Sequence, residues 1–518
     1  MPGVAHADLG EYVKARAAAA DGAVDVAAAG YAAVLAAAPG DEVVAIRAYR
    51  NALAAGDIAL ARRAAAVLVR SGVAPADTAI LEFADAVRAR DRARADDALG
   101  KIGAGPLDFL APVLRAWLAF DRGADPFPLL DSAGESGLGR RYIAEHRALL
   151  LIASKRLDEG VAALQAAVGA DPGSVDLRWN AATLLTGTGQ RRIARDVLSG
   201  DDPVMTALRD GLRKGRPGAA FGTSRLLTRL AADLSGQETQ ALSILLTRSA
   251  LMLDPGDDRA KLLLAAALAG ERAFDRAIMV LDTIKAASPF YSAALAERVG
   301  MLREQGAPER ALALAQGLAT RRDADVRDLQ RYADGLSDLG RDGDAAKVYQ
   351  QVVDRVGDAA TWIHHLQLGG SLERSGEWQA ALPHLRKAVE LAPEQPVALN
   401  YLGYAQVERG ENLAEAVALL ERASRLRPDD PAITDSLGWG YYRSGDVAKA
   451  LPLLERAAQG QPSSATINEH LGDAYWKAGR RFEARYAWRA AALYAEGEQK
   501  GRLTTKLADG LVQRTAAN

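Results

Sequence analysis

The protein has 518 residues with 64 basic and 66 acidic side chains, so its net charge of −2 offers no basic excess for neutralising the phosphates of a nucleic acid. It has no cysteine, which excludes disulfides, thiolate metal sites and lipid-modified cysteines within this sequence. Hydrophobic residues make up 49% of the chain but aromatic residues only 6%, because alanine, the strongest helix former, supplies much of the apolar content. No uninterrupted apolar run reaches the roughly 18 residues that a membrane-spanning helix needs. The composition predicts a nearly all-helical protein and does not favour an enzyme.

The N-terminal residues 1–75 carry small and apolar residues at a spacing that suits paired helices joined by short turns. This spacing predicts two degenerate units, marked by Gly22, Ala27, Tyr31 and Pro39, then Gly56, Ala61 and Leu68. Residues 76–140 fit the spacing badly and predict an irregular helical segment, in which residues 107–121 are amphipathic. Residues 141–200 return to the spacing and predict further degenerate units.

Residues 201–225 contain clustered glycines and prolines, notably at 200–203 and 214–218. Such clusters are typical of turns and loops, so this stretch predicts a loop or hinge with a change of superhelical path. Residues 226–360 predict degenerate helix pairs again. In this stretch Pro255 and Pro289 are 34 residues apart and enclose apolar residues at helical spacing.

The strongest pattern occupies residues 361–496. Four Leu-Gly pairs recur every 34 or 35 residues, at Leu368-Gly369, Leu402-Gly403, Leu437-Gly438 and Leu471-Gly472. An alanine follows the leucine of each pair 13 or 14 residues later, at Ala381, Ala416, Ala450 and Ala484. Small residues at these positions indicate where two antiparallel helices touch, because a larger side chain would push them apart. Residues 497–518 predict a capping helix and tail, since Leu503, Leu507 and Leu511 recur at a spacing of four.

These units, most clearly the one at 398–428, resemble the tetratricopeptide repeat family. The resemblance implies an all-α fold, a right-handed α-solenoid of about ten to twelve helix–turn–helix repeats, degenerate in the N-terminal half and closed by the C-terminal helix. It also implies a non-catalytic scaffold or adaptor that binds a partner protein or peptide in a concave groove, lined by the first helix of each repeat.

The resemblance assigns ten groove positions in the last three repeats: Asn400, Tyr404, Glu408, Asp435, Trp439, Tyr442, Arg443, Asp473, Trp476 and Lys477. Trp, Tyr and Arg are the residues that most often anchor protein interfaces. Two readings stay open, because Trp439, Tyr442 and Trp476 could instead fill space between helices. The basic residues with which one subclass of the family grips acidic chaperone tails are missing, which disfavours that class of partner.

No catalytic motif is present: the sequence contains no phosphate-binding loop, no zinc-protease helix and no serine-nucleophile turn. His364 and His365 are adjacent, and neighbouring positions on a helix point about 100° apart, so they make poor co-ligands for a metal. The sequence therefore predicts no enzyme, no cofactor and no metal. Two alternatives remain, an enzyme or enzyme subunit with a site in 76–140 or 200–218, and a self-assembling structural protein that forms a homo-oligomer.

The compartment is indicated by two weaker features. Residues 5–7, Ala-His-Ala, have the small-x-small form of a signal-peptidase site. The last 140 residues resemble large proteobacterial envelope proteins of the repeat family, a group that includes an adaptor of a carboxyl-terminal processing protease. We therefore expect a periplasmic or envelope-associated protein, in a complex such as one with a processing protease, with a cytoplasmic location as the alternative.

Overall fold

The computed structural model of the chain describes residues 9–131, 137–171, 173–200, 203–236, 239–322 and 324–511. Within these residues it contains thirty α-helices, two short 3₁₀ helices and no β-strand, which confirms the all-α prediction. The chain divides into two compact units, Met1–Ala311 and Leu312–Asn518. This division lies inside the predicted segment 226–360. The Ala-His-Ala sequence at 5–7 lies outside the described residues.

Unit 1 contains eighteen helices and the start of a nineteenth. They are α1 (Leu9–Ala20), α2 (Val24–Ala37), α3 (Glu42–Ala55), α4 (Ile58–Arg70), α5 (Thr78–Ala89), α6 (Arg92–Gly103), α7 (Ala111–Asp121), α8 (Phe127–Asp131), α9 (Gly137–Ala153), α10 (Leu157–Ala170), α11 (Val175–Gly187), α12 (Arg191–Val197), α13 (Pro203–Asp210), α14 (Ala219–Asp233), α15 (Gln240–Leu253), α16 (Asp258–Gly270), α17 (Phe274–Leu281), α18 (Tyr291–Glu304) and α19 (Pro308–Ala319). Many helices adjacent in sequence pack against each other, as α1 does with α2, α9 with α10 and α14 with α15.

Helices distant in sequence also pack together in unit 1. Arg248 of α15 donates hydrogen bonds to the carbonyl oxygens of Leu53 and Ala54, at 2.9 and 2.7 Å, where α3 ends. A cation at the C-terminus of a helix meets unpaired carbonyls and the negative end of the helix dipole. Gly22 lies so near Arg272 that an added Cβ would be 2.3 Å from its carbonyl oxygen. Unit 1 is therefore stabilised by contacts between distant helices, which a periodic sequence pattern alone does not predict.

The stretch 201–225, predicted as a loop or hinge, is largely helical where the structure describes it. Helix α13 and the first residues of α14 occupy it, and residues 211–218 connect them, while residues 201–202 lie outside the described part. The start of α14 is buried against α7. An added Cβ on Gly222 would be 2.0 Å from the Trp117 ring, so this glycine permits close packing within a helix. Where the structure describes it, the predicted irregular segment 76–140 contains helices α5 to α8 and the first residues of α9.

Unit 2 holds the end of α19 and eleven further helices. They are α20 (Val326–Asp338), α21 (Asp342–Val356), α22 (Trp362–Arg374), α23 (Trp378–Leu391), α24 (Pro396–Arg409), α25 (Leu413–Leu426), α26 (Pro431–Arg443), α27 (Val447–Gly460), α28 (Ala465–Lys477), α29 (Arg481–Tyr494) and α30 (Gly497–Asp509). The helices from α20 to α29 pack as pairs, and successive pairs stack into an α-solenoid. This confirms the predicted repeat architecture.

The Leu-Gly spacing has a direct cause in unit 2. The second helix of each pair lies against the glycine, so an added Cβ on Gly438 would be 2.8 Å from Leu454 and one on Gly472 would be 2.3 Å from the Trp488 ring. The turn between the helices of a pair also follows from sequence. After α26, Gly445 adopts a left-handed φ of 91°, and the Asp446 side chain accepts a hydrogen bond from the Lys449 N–H at 3.1 Å.

The predicted capping helix is present as α30. Leu503 is fully buried and packs with Trp488, Ala484 and Ala491 of α29. Without α30 this apolar face of the last pair would be open to water, which repeat arrays avoid by capping. The predicted tail from residue 512 onward lies outside the described residues.

Candidate functional site

The ten predicted groove residues lie on three first helices of unit 2. Helix α24 carries Asn400, Tyr404 and Glu408, α26 carries Asp435, Trp439, Tyr442 and Arg443, and α28 carries Asp473, Trp476 and Lys477. We call the surface formed by these ten residues the groove face. Side-chain contacts join its rows. The Trp439 indole N–H donates to the Glu408 carboxylate, and Arg443 donates to the Glu408 carbonyl oxygen at 3.2 Å.

An aromatic stack occupies the middle of the groove face. The Trp439 ring stacks on Tyr442, with centroids 4.6 Å apart and an interplanar angle of 12°, and on His470, at 4.0 Å and 9°. Trp439 is only 8% exposed. Most of the Trp439 ring surface is therefore buried by packing between repeats. Sequence reasoning missed His470, which precedes the Leu471-Gly472 pair and carries no pattern of its own.

His470 lies 2.9 Å from the Asp435 carboxylate, and both side chains are buried. Burial acts to lower the pKa of His470, but the Asp435 carboxylate, together with Glu408 and Asp473, raises it above the ordinary value. The imidazole is thus held toward its charged form, stacked on the face of an indole ring. Aromatic faces attract cations, so the stack and the ion pair support each other.

Helix α30 covers the third row of the groove face. The Lys506 ammonium lies 2.7 Å from carboxylate oxygens of both Glu469 and Asp473. Asp473 also accepts a hydrogen bond from the Trp488 indole at 2.9 Å. The end of α30 lies against Trp476, because an added Cβ on Gly510 would be 1.9 Å from that ring. Asp473 and Trp476 are therefore engaged by the chain itself, whereas Lys477 is exposed.

The first row of the groove face borders an open cavity of about 270 Å³. Asn400, Tyr404 and Glu408 line it, together with Tyr401 and the ion pair between Glu373 and Arg409, whose charged atoms are 2.6 Å apart. The Asn400 Oδ1 is buried and has no hydrogen-bond partner among the described residues. A buried acceptor without a partner costs free energy that a bound donor would recover.

The charged side chains that line this cavity, Glu373, Arg374, Glu408 and Arg409, balance one another. Burial raises the pKa of Tyr404, and the carboxylates of Glu408 and Asp435 raise it further. Tyr404 therefore keeps its hydroxyl proton at physiological pH. The cavity offers the Asn400 amide oxygen and the Glu408 carboxylate as acceptors, which are the groups that a peptide N–H or a side-chain amine would contact.

Two further findings concern chemistry. In the described part of the chain no group of three or more His, Asp or Glu side chains could hold a metal ion. His365, which the sequence paired with His364, instead lies against His384 of α23, with their Nδ1 atoms 3.1 Å apart. Burial lowers the pKa of both imidazoles.

Among the described helices none combines the length and apolar character required to cross a bilayer.

Parts of unit 2 match known repeat sequences. Residues 372–437 match one tetratricopeptide repeat profile, and residues 333–396 and 436–500 match a second. A TPR repeat-containing protein of Pseudomonas aeruginosa is 45% identical over 64 residues, which are 12% of this chain and 11% of that protein. The match thus spans about a tenth of the relative's length.

Solved structures that resemble the chain are also repeat proteins. A tetratricopeptide repeat protein from Parabacteroides merdae ATCC 43184 aligns over 48% of this chain and 96% of its own, at 16% identity and a TM-score of 0.41. A thermophilic TPR protein from Thermus thermophilus aligns over 35% of this chain and 99% of its own, at 20% identity and a TM-score of 0.32.

Proposed function

Since residues 333–500 contain tetratricopeptide repeats, we propose that the protein is a non-catalytic scaffold or adaptor that binds a partner protein or peptide on its groove face. Proteins built of these repeats are generally interaction scaffolds. The proposed contact surface is the part of the groove face that α30 leaves open, on α24 and α26. Asp473 and Trp476 belong to the end that α30 covers and are not proposed as direct contacts of the partner.

The observation that carries the proposal is the cavity beside Asn400. Its Oδ1 is a buried acceptor without a partner among the described residues, and it lies beside Tyr404 and the exposed Glu408. An extended peptide can donate its backbone N–H groups to such acceptors, and the neighbouring aromatic rings provide apolar contact for its side chains. Tyr442, half-buried at the edge of the aromatic stack, extends this surface onto α26.

We further propose that the partner belongs to the cell envelope, in a complex such as one with a processing protease. The support is the resemblance of the last 140 residues to envelope proteins of the repeat family. A cytoplasmic complex is the alternative. Fractionation of native cells into soluble and envelope extracts, each used separately for capture, distinguishes the two.

The test is capture of partners on the immobilised full chain, followed by mass spectrometry. The variant Asn400→Ala with Glu408→Gln removes the unpartnered acceptor and one charge, and the amide oxygen introduced by the second substitution can still accept from the Trp439 indole. The control is Glu394→Gln, since Glu394 is exposed in the turn before α24 and its side chain forms no hydrogen bond or ion pair with a described residue. We expect the double variant to lose most of the captured partner and the control to retain it.

Equal capture by the double variant and the control would overturn the groove assignment. Recovery of partners from the soluble extract alone would retain the scaffold and overturn the envelope location. Thermal unfolding of each variant shows whether a loss of capture reflects a loss of fold.

A further inference from the structure

A second cavity lies in unit 1, far along the chain from the groove face. It has a volume of about 430 Å³ and is lined by residues of α4, α5 and α6. Its buried lining is apolar, formed by Ala65 and Leu81, and the exposed Ala66 lies at its edge. The short alanine side chains leave space that longer side chains would fill. Cavities of roughly 300–1,000 Å³ are the usual size of small-molecule sites.

Three arginines converge on a single carboxylate at the edge of this cavity. Arg62 of α4 contacts the Asp85 carboxylate directly, and Arg88 and Arg94 donate to it at 3.3 and 3.1 Å. The Asp85 side chain is 8% exposed. One negative charge cannot balance three positive charges, so two remain uncompensated within this group.

The neighbouring side chains do not supply the missing negative charge. The Lys101 ammonium lies 2.9 Å from the carboxylates of both Glu82 and Asp97. These three side chains together carry a net charge of −1. Arg70 also lines the cavity and has no ion pair with any described residue. The cavity lining holds four basic and three acidic side chains, an excess of one positive charge. Arg88, which is not part of the lining, raises the excess to two through its contact with Asp85.

Arg62 shows the effect of this crowding most directly. Burial lowers its pKa, and the positive charges of Arg88 and Arg94 lower it further. Its Nε is buried without a hydrogen-bond partner among the described residues. A guanidinium presents its N–H groups as a planar fork that matches carboxylate and phosphate oxygens. The unused donor and the charge excess therefore point to the same class of ligand.

We propose that this cavity binds an oxyanion, the carboxylate or phosphate of a small ligand, between Arg62 and Arg94. The oxyanion accepts hydrogen bonds from guanidinium groups that Asp85 only partly satisfies. The apolar lining contacts a short apolar stem. Asp85 occupies part of the cluster as an internal competitor, so its charge limits the affinity for an external anion.

The experiment measures binding to the full chain by isothermal titration calorimetry and by the shift of the thermal unfolding midpoint. The probes are sodium phosphate and sodium glutarate, each compared with sodium chloride at equal ionic strength. The test variant is Arg62→Gln with Arg94→Gln. The control is Arg63→Gln with Arg92→Gln, which removes the same charge from the same two helices. Both side chains are exposed and form no hydrogen bond or ion pair with a described residue.

We expect saturable binding of at least one probe, weakened roughly tenfold or more in the test variant and retained in the control. Tighter binding of glutarate identifies a carboxylate site, and tighter binding of phosphate a phosphate site. An absence of saturable binding beyond the chloride response would overturn the proposal. Equal weakening in the test and control variants would do the same, because it indicates general charge attraction.

The variant Asp85→Asn tests the same site in the opposite direction and keeps the cluster of arginines intact. Without the probe we expect a lower unfolding midpoint, because three guanidinium groups lose their shared carboxylate. With the probe we expect tighter binding than in the unmodified chain, because the internal competitor is gone. Unchanged or weaker binding by Asp85→Asn would contradict the proposal even if the double arginine variant fails to fold.

Discussion

The Nδ1 of His470 lies 2.9 Å from the carboxylate of Asp435, and this buried pair joins the first helices of two successive repeats. Trp439 stacks on the His470 ring and holds it between the repeats. The Asp435 carboxylate outweighs the effect of burial and raises the pKa of His470. Repeat stacking in the groove face is therefore linked to the protonation of one histidine.

This link predicts a pH-dependent stability that Asp435→Asn removes. A histidine whose folded-state pKa is raised contributes stability that is full below its unfolded pKa, about 6.5, and is lost as pH rises through the folded value. We expect the unmodified chain to lose stability relative to Asp435→Asn as pH rises above about 6.5, by up to roughly 1.4 kcal/mol per pH unit. Urea unfolding at a series of pH values measures this difference.

The matched control for that series is Asp429→Asn, which removes the same charge from an exposed turn. The Asp429 side chain forms no hydrogen bond or ion pair with a described residue. It should leave the pH dependence of the unmodified chain in place. If Asp435→Asn and Asp429→Asn gave the same pH profile, the His470 pair would not carry the effect.

A second prediction concerns His146 of unit 1, whose Nδ1 accepts a hydrogen bond from the Trp117 indole at 2.9 Å. Burial lowers the pKa of His146 to about 3. A histidine held neutral contributes stability that is lost as pH falls below the unfolded pKa of about 6.5, here with a slope of roughly 1.4 kcal/mol per pH unit. We expect His146→Gln to weaken this acid sensitivity. An acid unfolding profile unchanged by His146→Gln would count against it.

A third prediction separates two glycines of unit 2. Gly472→Ala places a methyl group 2.3 Å from the Trp488 ring, so it should destabilise the protein by about 1–3 kcal/mol. Gly501→Ala, inside α30, has no heavy atom within 4 Å of the new methyl and should stabilise by about 0.4–1 kcal/mol. Urea unfolding compares the two. Equal effects would mean that helix contact does not fix the Leu-Gly repeat.

A fourth prediction addresses the contact of α30 with the groove face. Lys506→Met leaves Glu469 and Asp473 buried without their shared cation, which should cost about 3 kcal/mol or more. It should also shift the tryptophan emission maximum of the protein to longer wavelength, because α30 no longer shields the Trp476 ring from water. Lys500→Met, on the same helix but exposed and without a side-chain partner among the described residues, should change neither the stability nor the fluorescence. A stable Lys506→Met variant would show that apolar contacts alone hold the cap.

The repeats at 361–496 and the capping helix could be predicted because each depends on local spacing. Gly438 and Gly472 lie where two helices adjacent in sequence contact each other, so the position of each glycine in the pattern predicts that contact. The contact of Arg248 with the end of α3 could not be predicted, since it joins residues almost 200 positions apart. The same holds for the stretch 201–225, whose clustered glycines and prolines predicted a loop, whereas its Gly222 packs against Trp117 inside a helix.

The groove face was predicted only as a set of positions. The resemblance to the repeat family implies that Asn400 and Tyr404 share the face of Trp439 and Trp476. It cannot show that the capping helix covers Trp476 or that His470 stacks on Trp439, because both depend on how neighbouring repeats meet. Which of the ten residues contact a partner stays a prediction.

The most direct test of the scaffold proposal is photo-crosslinking at single positions of the full chain in native cells. A photoreactive residue replaces Tyr404, beside the open cavity, or Ala418, exposed on the second helix of the same pair. Mass spectrometry then identifies the adducts. We predict one partner protein joined at position 404 and absent at position 418. Adducts at 418 alone, or the same adducts at both positions, would contradict binding on the groove face.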